Sequence, residues 1–245
     1  MLLNIDHCHI LITGAAKRIG RMISETFLNY DVRLSAHYLS SEREMTELEE
    51  NARKKHRKIR TFKADLRNVL EIKSAVREAI AHFGPVDILI NSASQFHPTP
   101  TLDLTEKQWD DMLEVNLRGQ FFFAQAVASD MIKKGRGVIL NIADVYGEKP
   151  LRQFAPYTAS KAALLMMTRN LAKEWAPSVR VNAISPGPVL FPEHYTDAQK
   201  QKSIDRTLLK RQGSPVDIAN AVLFLVQNDY ITGFNLRVDG GRSLV

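Results

Sequence analysis

The chain has 245 residues, of which 44% are hydrophobic and 24% charged, and a net charge of +6. These proportions are ordinary for a globular protein and allow one large domain to bury a core. No apolar run approaches the roughly 20 residues needed to cross a bilayer, and the N-terminal MLLNIDHCHI lacks the pattern of a secretory leader. A single cysteine, Cys8, excludes an internal disulfide and suits a reducing compartment, so a cytoplasmic protein with no membrane partner is expected. Much of the excess positive charge sits in residues 53–60, RKKHRKIR, with no interleaved aromatic residues. That predicts a solvated helix end, where cations oppose the negative end of the dipole, and no nucleic-acid surface.

Taken in order, residues 8–13, CHILIT, form an apolar run ending in Thr13-Gly14. A helical pattern then begins near Arg18 and continues through Ile19, Met22, Ile23, Phe27 and Leu28. The prediction is a strand, a tight turn and a helix start. Gly14 lets the chain turn, Gly20 permits close approach of strand or ligand, and free N–H groups at the helix start suit a pyrophosphate. His7 and His9 share a strand face, but no third ligand accompanies them and no metal is expected. A second strand over 31–38 ends in His37-Tyr38-Leu39-Ser40-Ser41. A dinucleotide fold that prefers NAD usually carries Asp or Glu here to bind ribose hydroxyls. None ends this strand. The hydroxyls, His37 and Arg43 suit a 2′-phosphate, so NADPH is the expected cofactor.

The alternation continues with a charged helix over 41–56, a strand over 59–64 closed by Asp65, and a helix from about Asn68 to Phe83. Gly84-Pro85 breaks that helix, and residues 86–90 form an all-apolar strand. Strands of this kind between helices of this length imply a parallel sheet covered on both faces, as one domain over 1–245. The segment NSASQFHPTP (91–100) reads as a stiff active-site loop exposing Phe96. A long helical region over 106–134 contains Asn116, mildly unfavourable there and hence a sign of a polar task. The strand 138–143 leads into Asp144, thirteen positions before Tyr157. Tyr157 and Lys161 are four residues apart in a helical segment running to Trp175, so both project from one face. A phenol has a reference pKa of about 10, and a neighbouring ammonium favours its ionised form. A strand over 179–184 ends in the rigid turn Ser185-Pro186-Gly187-Pro188. Residues 191–212 show little pattern and are read as a mobile lid. A helix over 215–226 and a strand over 235–238 complete the chain.

TGAAKRIG (13–20), ADL (64–66), NSAS (91–94), VNLRG (115–119), Tyr157-x-x-x-Lys161, SPGPV (185–189) and VDGG (238–241), in this order, resemble the short-chain dehydrogenase/reductase family. The resemblance implies an α/β fold of Rossmann type: a doubly wound parallel seven-stranded sheet with helices on both faces, in three αβα layers. It also implies a nicotinamide cofactor and a homotetramer built through two long helices, with the C-terminal Arg242-Ser243-Leu244-Val245 packing at such an interface. Tyr157 would be the proton donor. Lys161 would hold the nicotinamide ribose and lower the tyrosine pKa, Asn116 would anchor a water-linked proton relay, and Asp65 would contact adenine. Further cofactor contacts are implied for Gly14, Lys17, Arg18, Ile19 and Gly20 in the first turn, and for His37, Tyr38, Leu39 and Ser41 after the second strand. Leu66, Asn91, Ser92, Ala93, Pro186, Gly187 and Val189 complete that lining.

Two residues depart from the family pattern. Arg18 stands where the middle glycine of the first turn is usual, and Asp144 where the catalytic serine is usual. A serine hydroxyl donates to a carbonyl oxygen, whereas an ionised carboxylate only accepts. Both departures, with His37-Tyr38, Ser94-x-Phe96, the PTP of 98–100 and the YITG and VDGGRSL segments, resemble the pteridine reductase subgroup. That implies NADPH-dependent reduction of a small-molecule pterin or folate, with hydride passing to a pyrazine-ring carbon and Tyr157 and Asp144 assisting protonation. Phe96 would stack on the pterin, and Ser94 and Arg18 would contact substrate and cofactor phosphates. The alternatives are a generic carbonyl reductase of 3-oxoacyl or sugar-type substrates, and a non-catalytic NADPH-sensing domain. The presence of both Tyr157 and Lys161 weighs against the sensor.

Overall fold

The computed structural model describes residues 4–193 and 195–245. Seven strands form one sheet: β1 (His9–Thr13), β2 (Arg33–Tyr38), β3 (Lys58–Lys63), β4 (Ile88–Asn91), β5 (Gly137–Ile142), β6 (Val179–Pro186) and β7 (Asn235–Val238). Their spatial order is β3-β2-β1-β4-β5-β6-β7, and every pairing is parallel. Between them lie α1 (Arg18–Phe27), α2 (Glu42–Lys54), α3 (Val69–Phe83), α4 (Glu106–Leu113), α5 (Gly119–Lys134), α6 (Ala155–Trp175), α7 (Asp197–Ile204) and α8 (Pro215–Gln227).

The near-continuous apolar strands follow from burial on both faces. With side chains alternating along a strand, Ile10 and Ile12 join one core layer while Leu11 joins the other. Ile88 and Ile90 divide from Leu89 in the same way, and Val138 and Leu140 from Ile139. The first layer packs under α1, α2 and α8 through Ile23, Phe27, Leu48 and Val222, and the second under α3 and α5 through Ile72, Ala79, Phe123 and Met131. This is the doubly wound Rossmann-type arrangement. Chain order reverses between β1 and β4, and ligands bind beyond the strand carboxyl ends at such a switch point.

Helix starts are set by side-chain caps. Asn68 accepts from the N–H groups of Leu70 and Glu71, and capping boxes begin α4 (Thr105 with Gln108) and α8 (Ser214 with Asp217). The long helical region expected over 106–134 is interrupted by one π-helical turn, Glu114–Arg118, which carries the buried Asn116. The patternless region 191–212 contains α7, started by a Thr196/Gln199 capping box. None of the α7 residues is buried, so the helix has no apolar stripe for a sequence reading to find. His194, within that region, lies outside the described residues. The basic run 53–60 spans the end of α2 and the start of β3, where Arg57 caps the Leu28 carbonyl at 3.2 Å.

The turn after β1 is shaped by glycine at two places. Gly14 has φ +64°, and a Cβ there would stand 2.8 Å from the Ala93 Cα. At Gly20 a Cβ would lie 2.1 Å from the Gly14 carbonyl oxygen, which leaves no space for any side chain. Gly20→Ala therefore lowers stability by about 1–3 kcal/mol, the range for overpacking a tight site, as read from urea denaturation. A change below about 0.5 kcal/mol would mean that α1 slides away from the turn without loss.

Candidate active site

A cleft of about 440 Å³ opens at the carboxyl ends of the strands. Its floor is the first turn with Gly14, Lys17, Arg18, Ile19 and Gly20, and one wall carries Leu39, Asp65 and Leu66. Ser92, Ala93, Pro186, Gly187 and Val189 line the opposite side. Thr13 Oγ1 ties the two central strands together by accepting from the N–H groups of Ser92 at 3.0 Å and Ala93 at 3.1 Å.

His37 supports the turn from beneath. Its Nδ1 accepts from the Gly14 N–H at 3.3 Å, so Nε2 carries the proton and donates to the Ala64 carbonyl at 2.9 Å. Burial lowers its pKa to about 4. The expectation that His37 helps to bind a 2′-phosphate fails on this geometry, because the ring is neutral and engaged at both nitrogens. Lys17, paired with Glu44 at 2.9 Å, is the cation that the turn itself places at the cleft near this strand end.

The polar centre is built on β5 and α6. Asp144 lies two residues past the end of β5, caps the short turn Val145–Gly147, and accepts the Tyr146 N–H at 2.8 Å through Oδ1. Its Oδ2 accepts from the Tyr157 hydroxyl at 2.7 Å. Lys161, one helical turn further, is fully buried, donates to the Ile142 carbonyl at 2.9 Å and stands 5.8 Å from the Tyr157 ring centre. Desolvation raises the Asp144 pKa and lowers that of Lys161 to about 8. Tyr157 is pushed well above its ordinary value, first by burial and then by the Asp144 charge. The expected acidification of Tyr157 by Lys161 is therefore not the state of this cleft. Desolvation and a carboxylate at hydrogen-bond distance outweigh an ammonium beside the ring.

Asn116 is fully buried and does not line the cleft. Its Oδ1 accepts from the Gln95 N–H at 2.7 Å and from the Ser94 hydroxyl at 3.2 Å, and its Nδ2 donates to the Gln95 carbonyl at 3.0 Å. The side chain thus clamps the 94–95 loop to the π-helical turn. Phe96 follows that loop, stacks on Phe154 with ring centres 4.6 Å apart, and meets the Tyr157 ring edge-on at 4.8 Å. Asp65 spends its carboxylate on Arg67, with contacts of 2.6–3.0 Å. Arg18, at φ +54°, reaches across the cleft to the Leu190 carbonyl at 3.0 Å. Tyr38, Ser41 and Asn91 stand off the cleft. Tyr38 packs on the core, Ser41 precedes α2, and Asn91 is buried against Gln120 and Asn141.

Sequence reasoning missed Tyr146, Leu151, Phe191, Tyr195 and Arg242, all of which line the cleft. Arg242 was expected at a subunit interface with the residues that follow it, yet it is 7% exposed and turned inward. The available signal was the Gly240-Gly241 pair before it, which marks a chain reversal at the end of the last strand.

Residues 14–243 match the family described as enoyl-(acyl carrier protein) reductase. The chain is 30% identical over 239 residues to a 3-oxoacyl-[acyl-carrier-protein] reductase FabG of Staphylococcus epidermidis, covering 96% of this chain and 98% of that protein. The chain belongs to the short-chain dehydrogenase/reductase family. It is also 36% identical over 193 residues to the 2-dehydro-3-deoxy-D-gluconate 5-dehydrogenase of Dickeya dadantii, covering 76% of each. Among solved structures, a blue fluorescent protein from a metagenomic library, in complex with NADPH, superposes with a TM-score of 0.92 at 31% identity, covering 98% of this chain and 99% of that one. A 7α-hydroxysteroid dehydrogenase complexed with NADH and 7-oxo glycochenodeoxycholic acid gives 0.92 at 30%, covering 97% and 95%. The chain is thus an oxidoreductase of this family, and among its described residues no helix is long and apolar enough to cross a membrane.

Since folding lowers the Lys161 pKa to about 8, the folded protein binds fewer protons than the unfolded chain between there and the ordinary value of 10.5. Stability contributed by this group therefore rises with pH across that window and is lost as pH falls through about 8. Tyr157, raised by burial, acts in the opposite sense at the alkaline end. The comparison with Lys161→Met isolates the lysine: urea denaturation at pH 7 and pH 9.5 shows the wild type gaining on the variant at the higher pH. A constant difference would mean an unshifted ammonium.

Proposed function

We propose that this chain is an NADPH-dependent reductase of a flat ring rich in N–H donors, in the class of dihydropterins and dihydrofolate. The observation that carries this reading is the Asp144 carboxylate, held between the Tyr146 N–H and the Tyr157 hydroxyl. A carboxylate only accepts hydrogen bonds. It suits a ring bearing N–H and amino groups and disfavours the alkoxide that develops from a simple ketone.

The first turn fits a nicotinamide dinucleotide. Gly14 and Gly20 leave a backbone surface bare of side chains at the start of α1, where N–H groups and the helix dipole favour a pyrophosphate. With no carboxylate on the last residues of β2, and with Lys17 close by, paired at rest with Glu44, the 2′-phosphate form is preferred. The bound cofactor supplies hydride. Lys161, with one N–H on the Ile142 carbonyl, has others to orient a ribose hydroxyl. Tyr157 stays protonated at rest because burial and Asp144 hold its proton in place. The Tyr157–Asp144 pair then delivers that proton to the nitrogen beside the reduced carbon. Phe96, stiffened by Phe154, offers a ring face to the substrate. The same reading has the enzyme working in the cytoplasm as a homotetramer.

Carbonyl reduction is the second reading, and the named relatives support it more directly. Those relatives are named for oxoacyl and sugar-acid substrates. A panel of dihydromonapterin, dihydrobiopterin, dihydrofolate, an acetoacetyl thioester and 2-dehydro-3-deoxygluconate, followed by NADPH and NADH oxidation, separates the two. Pterin turnover with NADPH is expected, and ketone turnover without it overturns the pterin reading. Asp144→Ser is expected to lower pterin kcat at least about tenfold while NADPH affinity holds. Phe96→Ala weakens substrate binding by about 1–3 kcal/mol if its ring stacks on the substrate. A change in melting temperature alone would place Phe96 in the core.

A further inference from the structure

Arg242 is a buried cation without an anion. Among the described residues it forms no ion pair: Nη2 donates to the Tyr146 hydroxyl at 3.1 Å, Nη1 to the Arg206 carbonyl at 3.4 Å, and Nε has no partner. Its guanidinium carbon stands 5.8 Å from the Tyr146 ring centre. A charge withdrawn from water without a counter-ion is unfavourable by several kcal/mol. The backbone nevertheless forces it into place. Gly240 and Gly241 take φ +60° and +79° in succession, turning the chain back after β7 so that Arg242 enters the cleft. The Lys149 ammonium donates to the Arg242 carbonyl at 3.2 Å, adding positive charge behind it.

Tyr146 links this group to the reaction centre. Its peptide N–H holds Asp144 Oδ1, while its hydroxyl accepts from Arg242 and keeps its own proton to donate. A guanidinium with uncommitted N–H groups, next to a phenolic O–H, matches a planar carboxylate in shape, charge and hydrogen-bond sense. Resting on the reading that this cleft receives the substrate of a reductase, we infer that Arg242 and Tyr146 form a carboxylate subsite. The substrate then carries an acidic group as well as the bond that is reduced, and neutral analogues bind more weakly.

Benzoate and benzamide share size and flatness and differ in charge, and neither is reducible. Calorimetric titration of the NADPH-saturated enzyme is expected to show benzoate binding at least about tenfold tighter, the order of a charge-assisted hydrogen-bond pair. Arg242→Met is expected to abolish the preference and Arg242→Lys to keep part of it, with melting curves confirming that both variants fold. Should Arg242→Met fail to fold, Tyr146→Phe serves instead: benzoate affinity falls several-fold and benzamide affinity holds. Equal binding of the two probes by the wild type, or a preference that survives Arg242→Met, overturns the subsite. Benzoate preference without pterin turnover sinks the pterin reading and leaves the subsite standing, and the converse result does the reverse.

Discussion

The buried hydrogen bond from the Tyr157 hydroxyl to Asp144 holds together both the geometry and the chemistry of this cleft. It spans the junction of β5 and α6, joining the two elements that carry the polar centre. It also decides protonation. Taken out of water, the phenol and the carboxylic acid both resist ionisation; the Asp144 charge further holds the proton on Tyr157, while the Tyr157 hydrogen bond partly offsets the effect of burial on Asp144. Lys161, close enough to Asp144 to contribute, has itself lost much of its preference for charge through burial. A serine in place of Asp144 would leave the phenol facing the lysine with no competing negative charge. One side chain thus changes which proton is available and in which direction hydrogen bonds point.

The scaffold restricts movement around that bond at several points. Thr13 locks the ends of β1 and β4, Asn116 pins the 94–95 loop, and the Phe96–Phe154 stack braces the tyrosine ring from the side. Asn116 can reach Gln95 because a single widened helical turn carries it there, a placement typical of π-turns at functional sites. On this view Asn116 positions the loop by holding its backbone.

Much of the architecture was legible in the sequence because it rests on local rules. Apolar runs such as VDILI and GVILN can only be strands buried on both faces, and Gly14 and Gly20 mark a turn that admits no side chain. What escaped was whatever depends on long-range meeting. Nothing local distinguishes the π-turn at 114–118 from the helix around it, since its apolar neighbours keep nearly the same spacing. α7 buries nothing and so leaves no periodic trace. Arg242 lies almost a hundred residues from Tyr146 in the chain, and its inward turn depends on how β7 ends beside β6. The role of His37 was misjudged for a related reason: its place at the end of β2 suggested reach toward a ligand, whereas the ring folds back under Gly14.

That inward histidine sets an acid limit on the molecule. Near pH 4 the imidazole gains a second proton, and Nδ1 can no longer accept the amide hydrogen of Gly14. The glycine loop then loses its underside at the place where the dinucleotide would rest. Mild acid would thus loosen the nucleotide's seat.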